Sequence, residues 1–401
     1  MRVLAFVIPE KGHLNPLLPT LRRIADAGHE LVLASARDLT SVLAAAGIAG
    51  RAARFEAPAP PASFLTAGRE FAEKLRDARW LAGWIEALLI DAVPAQLPGV
   101  EALIAHERPH VVVADPMMYA VAIGCARAGL PWAALSSSLN PVTPRAWSTA
   151  LTETLDRLAP KRAALFRDAG VEVPRFFVSD AESPWLNLAF TAPLYVPHAV
   201  DPAIQLVGAT FDATDIACRG DETPFPFERL RDKPRLYVSF GSQAFFQPRL
   251  FQQVFACASE LGMQVIASVG ALLEDTEFVR AAPPDAVLAR YTPQLQLLER
   301  VDMVVSHGGA NSVVEALSFG KPVLLLTLCN DQPLQARFLT ASGAGLALDA
   351  QAGEVELASL RAAMKQLPTH AARAVRIGEA LRAQGGPTRA AEQVLALGRG
   401  V

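Results

Sequence analysis

The chain has 401 residues with a net charge of −3, and 51% of them are hydrophobic. This length is enough for two domains of ordinary size, and the hydrophobic content supplies a large core. The nearly balanced charge, without a block of lysine or arginine, argues against a nucleic-acid-binding protein.

Two apolar stretches could be targeting or membrane segments, but neither has the required length or continuity. Residues 1–9 are too short for a signal sequence because Lys11 follows at once, and the apolar zone 111–126 is interrupted by Asp115 and Pro116. We therefore expect no transmembrane segment and a cytoplasmic protein, either a monomer or a homodimer. The widely spaced cysteines form no CxxC pair, so they predict reduced, buried thiols and no metal site: Cys125, Cys218, Cys257 and Cys329.

The first elements alternate between apolar runs and helical patterns. RVLAFVI at 2–8 predicts a buried parallel strand, residues 15–27 a helix, 30–34 a second strand and 37–46 a second helix. This order predicts a doubly wound α/β sheet. The first turn lacks G-x-G-x-x-G, which disfavours a nicotinamide-dependent oxidoreductase.

Two polar residues follow strands of this first half. His13 lies in the loop after the first strand, and Asp115 follows the strand predicted at 110–114. Ligands of such sheets bind beyond the carboxyl ends of the strands. A histidine oriented by a carboxylate is suited to general-base chemistry. The alternatives are that His13 caps a turn and that Asp115 only caps the helix after it.

The rest of the first half is rich in aromatic residues and proline. Strands are predicted at 130–135, 185–190 and 203–207, and the Asp-, Pro- and Thr-rich segment 210–234 reads as an interdomain linker. The aromatic side chains either pack helices onto the sheet or line an apolar pocket for a small molecule. The candidates for the pocket are Phe64, Trp80, Trp84 and Trp147.

The second half begins with a strand at 235–240 and centres on the stretch 304–332, VVSHGGANSVVEALSFGKPVLLLTLCNDQ. That stretch predicts a strand, a tight glycine turn, a helix at 313–319 and a strand at 322–326. A glycine turn that leads into a helix is a natural seat for phosphate, with His307 as an extra donor and Glu315 as an acceptor for ribose hydroxyls. The alternative is an ordinary strand–glycine–helix turn, which is common in α/β proteins.

The same stretch closely resembles the donor-binding signature of family-1 nucleotide-sugar glycosyltransferases, H-x-G-x-x-S-x-x-E-A-x-x-x-G-x-P followed by a loop that ends in D-Q. The matching residues are His307, Gly309, Ser312, Glu315, Ala316, Gly320, Pro322, Asp331 and Gln332. Residues 12–16, GHLNP, resemble the G-H-x-N-P motif on the acceptor side of the same family.

The resemblance implies the GT-B architecture, which is an α/β fold of two facing Rossmann-like domains with parallel sheets and an interdomain cleft. We expect residues 1–209 to form the acceptor-binding domain, 210–234 the linker and 235–384 the donor-binding domain. By analogy with the fold, the last helix, at about 385–401, should pack back on the first domain.

The resemblance also assigns roles to residues. His13 would be the general base and Asp115 its partner, and the sugar would be transferred with inversion, without a metal ion or a cofactor. The co-substrate would be a nucleoside diphosphate sugar, and the acceptor a lipophilic small molecule that contacts the four aromatic candidates. The donor-binding residues would be Gly241, Ser242, Tyr291, Gln294, His307, Gly308, Gly309, Asn311, Ser312, Glu315, Asp331 and Gln332.

Two positions depart from the family pattern and leave the donor open. Thr327 stands where proline is usual, and Gln335 stands where asparagine is frequent. UDP-glucose is the first expectation for the donor, and a dTDP-deoxysugar is its competitor. A sugar-nucleotide epimerase with the same fold and a non-catalytic auxiliary protein are the alternative functions.

Overall fold

The structure is a computed structural model that describes residues 1–57, 68–212, 216 and 224–400. Within these ranges, strands and helices alternate along most of the chain. The strands are β1 (Arg2–Phe6), β2 (Glu30–Ser35), β3 (Arg51–Arg54), β4 (Val111–Ala114), β5 (Trp132–Ser136), β6 (Phe176–Phe177), β7 (Asp180–Ala181), β8 (Leu186–Ala189), β9 (Ile204–Leu206), β10 (Arg235–Ser239), β11 (Gln264–Ser268), β12 (Val287–Ala289), β13 (Met303–Ser306), β14 (Val323–Thr327) and β15 (Gly345–Asp349). The helices are α1 (Lys11–Asp26), α2 (Thr40–Ala45), α3 (Gly68–Lys74), α4 (Ala78–Glu86), α5 (Val93–Glu107), α6 (Tyr119–Ala128), α7 (Ala150–Asp168), α8 (Pro248–Glu260), α9 (Thr276–Arg280), α10 (Gln294–Leu298), α11 (Ala310–Ser318), α12 (Gln332–Ser342), α13 (Leu357–Gln366), α14 (Ala371–Ala383) and α15 (Gly386–Arg399).

The first half forms a parallel sheet with the order β3-β2-β1-β4-β5-β8-β9. Its central strands are almost wholly buried, because helices cover both faces of the sheet. The strand order reverses between β1 and β4, so the loops after these two strands diverge and leave a crevice at the carboxyl edge.

The second half forms a parallel sheet with the order β12-β11-β10-β13-β14-β15. Its order reverses between β10 and β13, which places a second crevice at the carboxyl ends of those strands. The two sheets confirm the predicted α/β fold with two parallel sheets. The last helix, α15, crosses back to pack against α1 and β4 of the first sheet.

Several element boundaries differ from the sequence predictions. Helix α1 begins at Lys11 rather than Asn15, so His13 lies in its first turn and not in a loop. Strand β3 has no apolar pattern and was not predicted; it forms because it pairs with β2 at the edge of the sheet. Helix α2 is shorter than predicted and begins at Thr40.

The stretch Ala78–Glu107 is the one helical stretch in the described residues long and apolar enough to cross a membrane by length and composition. Its side chains Ile85, Ile90, Val100 and Ile104 belong to the core under the first sheet, and it packs on α6. Core helices of soluble proteins pass the same test, so the stretch carries no argument for a membrane span.

Candidate active site

A cavity of about 1070 Å³ lies between the two sheets and is lined by both halves of the chain. It opens at the two crevices where the strand orders reverse. Thirteen of the predicted site residues line it: His13, Trp84, Gly241, Ser242, Tyr291, Gln294, His307, Gly309, Asn311, Ser312, Glu315, Asp331 and Gln332. Its size exceeds the upper range of ordinary ligand pockets, about 300–1,000 Å³.

His13 and Asp115 meet at the carboxyl edge of the first sheet. His13 Nδ1 lies 2.7 Å from Asp115 Oδ2, and the carboxylate is only 1% exposed. The Ser137 hydroxyl, directly after β5, lies 2.9 Å from the same ring nitrogen. Because β1, β4 and β5 are neighbours in the sheet, the residues that follow them converge on one point.

Asp115 has both of the roles that the sequence left open. Its Oδ1 accepts a hydrogen bond from the Met117 N–H at 3.0 Å, which caps the turn before α6, while its Oδ2 faces His13. A carboxylate that accepts the Nδ1 proton leaves Nε2 as the basic nitrogen of the ring. His13 is 26% exposed, so the ring can be reached from the cavity.

The charges around His13 favour its protonated form. Burial lowers the pKa of His13, but the Asp115 carboxylate, together with Glu10 and Asp180, raises it by more. The net pKa therefore lies above 6.5. A raised pKa makes the neutral imidazole a stronger base.

The imidazole of His307 sits between two glycines. A Cβ atom on Gly241 would lie 2.7 Å from the His307 ring, and one on Gly309 would lie 2.8 Å from its Nε2. Only glycine leaves room for the ring at these places. Burial lowers the pKa of His307 to about 4, although a hydrogen bond to the Ser239 backbone raises it slightly, so the ring is neutral at pH 7.

The N-terminus of α11 opens into the cavity beside His307. Gly309 is its N-cap, and Gly308 has a φ of +98°, which only glycine adopts readily. The Asn311 side chain donates to the Gly12 carbonyl of the other domain. That carbonyl lacks its helical partner because Pro16, four residues later in α1, has no N–H.

Tyr291 lies at the cavity wall with a cation on one face. The ammonium of Lys11, from the first domain, lies 3.4 Å from the centroid of the Tyr291 ring. A nucleotide base that stacks on this ring would use the other face or displace Lys11.

Glu315 is held by a chain of hydrogen bonds that begins in β10. Its Oε2 accepts from Gln294 Nε2 at 2.5 Å, and Gln294 Oε1 accepts from the Tyr237 hydroxyl at 3.1 Å. Thr292 lies 2.8 Å from the same hydroxyl. Gln294 therefore orients Glu315, in addition to any contact that it makes with the nucleotide base.

Asp331 and Gln332 differ in what they can offer a ligand. Gln332 is 5% exposed, and its Oε1 accepts from the backbone N–H groups of Leu328 and Cys329 at 2.7 and 3.1 Å, so it fixes the loop after β14. Burial raises the pKa of Asp331, and Gln335 donates to its Oδ2 at 3.3 Å.

The two departures from the family pattern have structural explanations. Thr327 is the last residue of β14 and pairs with Asp349, so this strand runs one residue further than a proline would favour. Gln335 is buried and reaches Asp331 one helical turn away. An asparagine side chain there would be one methylene shorter.

The predicted acceptor aromatics separate into different environments. Trp84 lines the cavity, whereas Trp80 stacks behind it at 6.3 Å and is not part of the wall. Trp147 does not line the cavity: its ring packs 4.8 Å from that of Phe338 in the second half. Phe64 lies outside the described residues, as does Cys218.

The three cysteines within the described residues, Cys125, Cys257 and Cys329, are buried free thiols. In the described part of the chain, no three His, Cys, Asp or Glu side chains are grouped closely enough to hold a metal ion.

Four residues of the site were not singled out in the sequence. Ser137 directly follows a buried strand, and Tyr237 lies within one. A polar residue at the end of a buried strand is the signal that would have found Ser137. Lys11 and Asp180 carried no local signal, because Lys11 meets Tyr291 only across the domains and Asp180 sits in a short hairpin, β6–β7.

Residues 252–397 match the family model described as the erythromycin biosynthesis protein CIII-like C-terminal domain. The NDP-glycosyltransferase YjiC of Bacillus subtilis is 25% identical, over 96% of this chain and 95% of its own length. The L-demethylnoviosyl transferase of Streptomyces niveus is 27% identical, over 87% and 85%. A further match is local: the uncharacterized UDP-glucosyltransferase YojK of B. subtilis aligns over 55% of this chain and 53% of its own length.

Solved structures resemble the chain over nearly its whole length. The glycotransferase of kitacinnamycin has a TM-score of 0.75 at 22% identity and covers 99% of this chain and 98% of its own. The spinosyn rhamnosyltransferase SpnG, solved with spinosyn aglycone and with thymidine diphosphate, has a TM-score of 0.72 at 21–22% identity, over 97% of this chain and 98% of its own. The resemblance to family-1 natural-product glycosyltransferases is confirmed, and the chain is a glycosyltransferase with the GT-B fold.

Proposed function

We propose that the chain transfers a sugar from a nucleoside diphosphate sugar to a hydroxyl of a lipophilic small molecule, with inversion and without a metal ion. The observation that carries the proposal is the placement of the His13–Asp115 pair across one cavity from the glycine turn and the α11 N-terminus. One wall offers a base, and the facing wall offers a seat for phosphate.

In this mechanism the acceptor hydroxyl gives its proton to His13 Nε2 while its oxygen attacks the anomeric carbon. Attack from the face opposite the diphosphate inverts that carbon. The bond to the diphosphate breaks, and the backbone N–H groups of the α11 N-terminus stabilise the charge that it takes away. The negative charge of the diphosphate would raise the pKa of His307 from its lowered value. Glu315 would accept from ribose, and Asp331 from sugar hydroxyls.

The apolar part of the cavity wall supports a lipophilic acceptor. The same cavity that His13 lines is also lined by Phe55, Phe71, Trp84, Leu88 and Met117. SpnG agrees in kind, since it was solved with spinosyn aglycone.

For the donor we propose UDP-glucose first and a dTDP-sugar second. The relative YojK is named a UDP-glucosyltransferase, and SpnG was solved with thymidine diphosphate. Gln332 supports neither choice, because its side-chain oxygen is already used by the loop.

A donor-by-acceptor screen by mass spectrometry tests the function. UDP-glucose and dTDP-sugars are each incubated with hydroxylated aromatic compounds and macrolactones, and the product gains the mass of one hexosyl or deoxyhexosyl group. We expect transfer to continue in EDTA; loss of transfer that Mg²⁺ restores would contradict metal-free catalysis. Product from the donor alone would favour the epimerase or hydrolase, and no turnover with any pair would favour the auxiliary protein.

A further inference from the structure

Asp180 is a buried acid beside the candidate base. It is 2% exposed and begins strand β7 of the short hairpin with β6. Its Oδ1 accepts from the Asn140 side-chain amide at 2.7 Å, and its Oδ2 accepts from the Ser136 hydroxyl. Both donors belong to the segment 136–140 at the end of β5, so one carboxylate joins the hairpin to that segment.

The turn of this hairpin has an unfavourable backbone conformation. Val178 has a φ of +57°, in the left-handed region that a β-branched residue rarely adopts. The Val178 carbonyl accepts from Arg162 at 2.9 Å, and the Ser179 carbonyl accepts from the Tyr119 hydroxyl at 2.6 Å. Strained turns that buried donors hold in place occur at functional sites.

The hairpin also reaches the other loop of the base. The Ala181 N–H donates to the carbonyl of Pro116, the residue directly after Asp115, at 3.0 Å. Ser137, which contacts His13, lies next to Ser136, which donates to Asp180. The loops that carry the two hydrogen-bond partners of His13 are therefore anchored on the same hairpin.

We propose that Asp180 is a positioning residue for His13. It holds the loops of Asp115 and Ser137 in register with the imidazole, and in its charged form it adds a second negative charge to the surroundings of His13. The inference rests on the proposed role of His13 as the base. The same acid holds the segment that includes Ser138 and Asn140 of the cavity wall.

Asp180 acts electrostatically on His13 only in its charged form. Burial raises the pKa of Asp180 to about 7, against the hydrogen bonds from Asn140 and Ser136 that favour its charged form. The charged groups that face His13 are Glu10 before α1, Asp115 after β4, Asp180 in β7 and Asp331 before α12. The groups that face Asp180 are Asp115 and His13, and Arg162 of α7 and Tyr119 of α6 pack on its hairpin.

The sign of the effect follows from the charges. A carboxylate near an imidazole stabilises the imidazolium and raises its pKa. Replacing Asp180 by asparagine keeps the size of the side chain, but it removes the charged form and turns one of the two acceptor oxygens into a donor. The pKa of His13 should therefore fall, and neutral His13 becomes a weaker base.

The decisive measurement is the His13 pKa by NMR titration of labelled histidine rings in the full chain. The chain has seven histidines, and His13→Ala identifies the His13 signal. We expect Asp180→Asn to lower the pKa of His13 by about half to one unit. Ser136→Ala removes one hydrogen-bond donor to the Asp180 carboxylate and should lower the pKa of His13 by a smaller amount. This variant is used if Asp180→Asn does not fold.

The matched control is Glu107→Gln. Glu107 is equally buried, at 2% exposure, but ends α5 near the amino ends of the strands, where it contacts Arg51. We expect it to lower the melting temperature and leave the pKa of His13 unchanged. An unchanged His13 pKa in both Asp180→Asn and Ser136→Ala overturns the inference, as does an equal fall in Glu107→Gln.

Activity separates this inference from the proposed function. With an active donor and acceptor pair, the acid limb of kcat/KM in Asp180→Asn should move to lower pH and the plateau should fall severalfold. If the NMR pKa moves while the limb stays, His13 is not the base, and the role of Asp180 beside it stands. If neither the acid limb of kcat/KM nor the pKa of His13 measured by NMR changes, Asp180 has only a structural role.

Discussion

The two walls of the cavity are built in different ways. The donor wall takes most of its polar groups from one stretch, 291–332, where a strand, a glycine turn and a helix follow each other directly. The acceptor wall assembles His13, Asp115, Ser137 and Asp180 from residues that are far apart in the chain. The sheet order brings the first three together, and the β6–β7 hairpin adds Asp180 through its contacts with the loops after β4 and β5.

This difference agrees with what each wall would bind in the proposed function. A diphosphate is recognised by backbone N–H groups and glycines, whose geometry is local and is repeated in every protein that uses it. A base for a hydroxyl needs one nitrogen held at one angle, and its supports can come from any neighbouring element. The residues of the donor wall therefore form a contiguous sequence motif, whereas those of the acceptor wall come from separate parts of the chain.

The largest expected effect separates the two walls at once. His13→Ala removes the proton acceptor and should lower kcat by about 10²–10⁴-fold, the usual contribution of a positioned base. Nucleotide binding should stay nearly unchanged, because the residue lies on the acceptor wall. Steady-state kinetics and calorimetry with UDP measure the two quantities. Turnover equal to that of the parent chain would contradict the base assignment.

Asp115→Asn tests the negative charge beside His13 on the acceptor wall. Asparagine can still accept from Met117 through Oδ1, but the negative charge beside His13 is lost. We expect kcat to fall about 10²-fold. The pKa of His13 should also fall, since Asp115 raises it, so the acid limb of the rate profile moves to lower pH.

Asp115→Ala is the control for the capping role. It removes the cap as well and should cost about 1 kcal/mol more in stability than the asparagine variant. A wild-type pH profile in Asp115→Asn would leave Asp115 as a cap only.

Gly309→Ala tests the donor wall without touching the base. Its φ is ordinary, but the new Cβ would lie 2.8 Å from His307 Nε2, so the ring must move. We expect nucleotide affinity to fall about tenfold, which corresponds to roughly 1.4 kcal/mol. Gly400→Ala, where the nearest atom is at 3.6 Å, is the matched control and should bind UDP normally. Equal affinity in both variants would remove His307 from the phosphate site.

The predictability of each region follows the same division. Most strands of the two parallel sheets, the glycine turn and the position of Glu315 could be predicted from the sequence because apolar runs, glycines and the D-Q pair are local signals. The start of α1 could not, because Pro16 suggested a boundary while Glu10, extended at the N-cap, begins the helix earlier. Asp180 and Lys11 could not, because their partners lie in other elements. Trp147 shows the limit of composition: its ring fills the space between the halves, although its aromatic surroundings in the sequence suggested a ligand.

The smallest expected effect compares two tryptophans of the first half. Trp84→Leu removes aromatic surface from the cavity wall and should raise the KM for the acceptor about tenfold, which corresponds to roughly 1.4 kcal/mol of lost contact, with kcat and UDP affinity little changed. Trp147→Leu should leave the acceptor KM unchanged and lower the melting temperature instead, because that ring packs on Phe338 of the second half. Acceptor kinetics and thermal melts on both variants distinguish the roles. If both raise KM alike, the acceptor reaches beyond the cavity toward α12, and the two walls are less separate than the packing indicates.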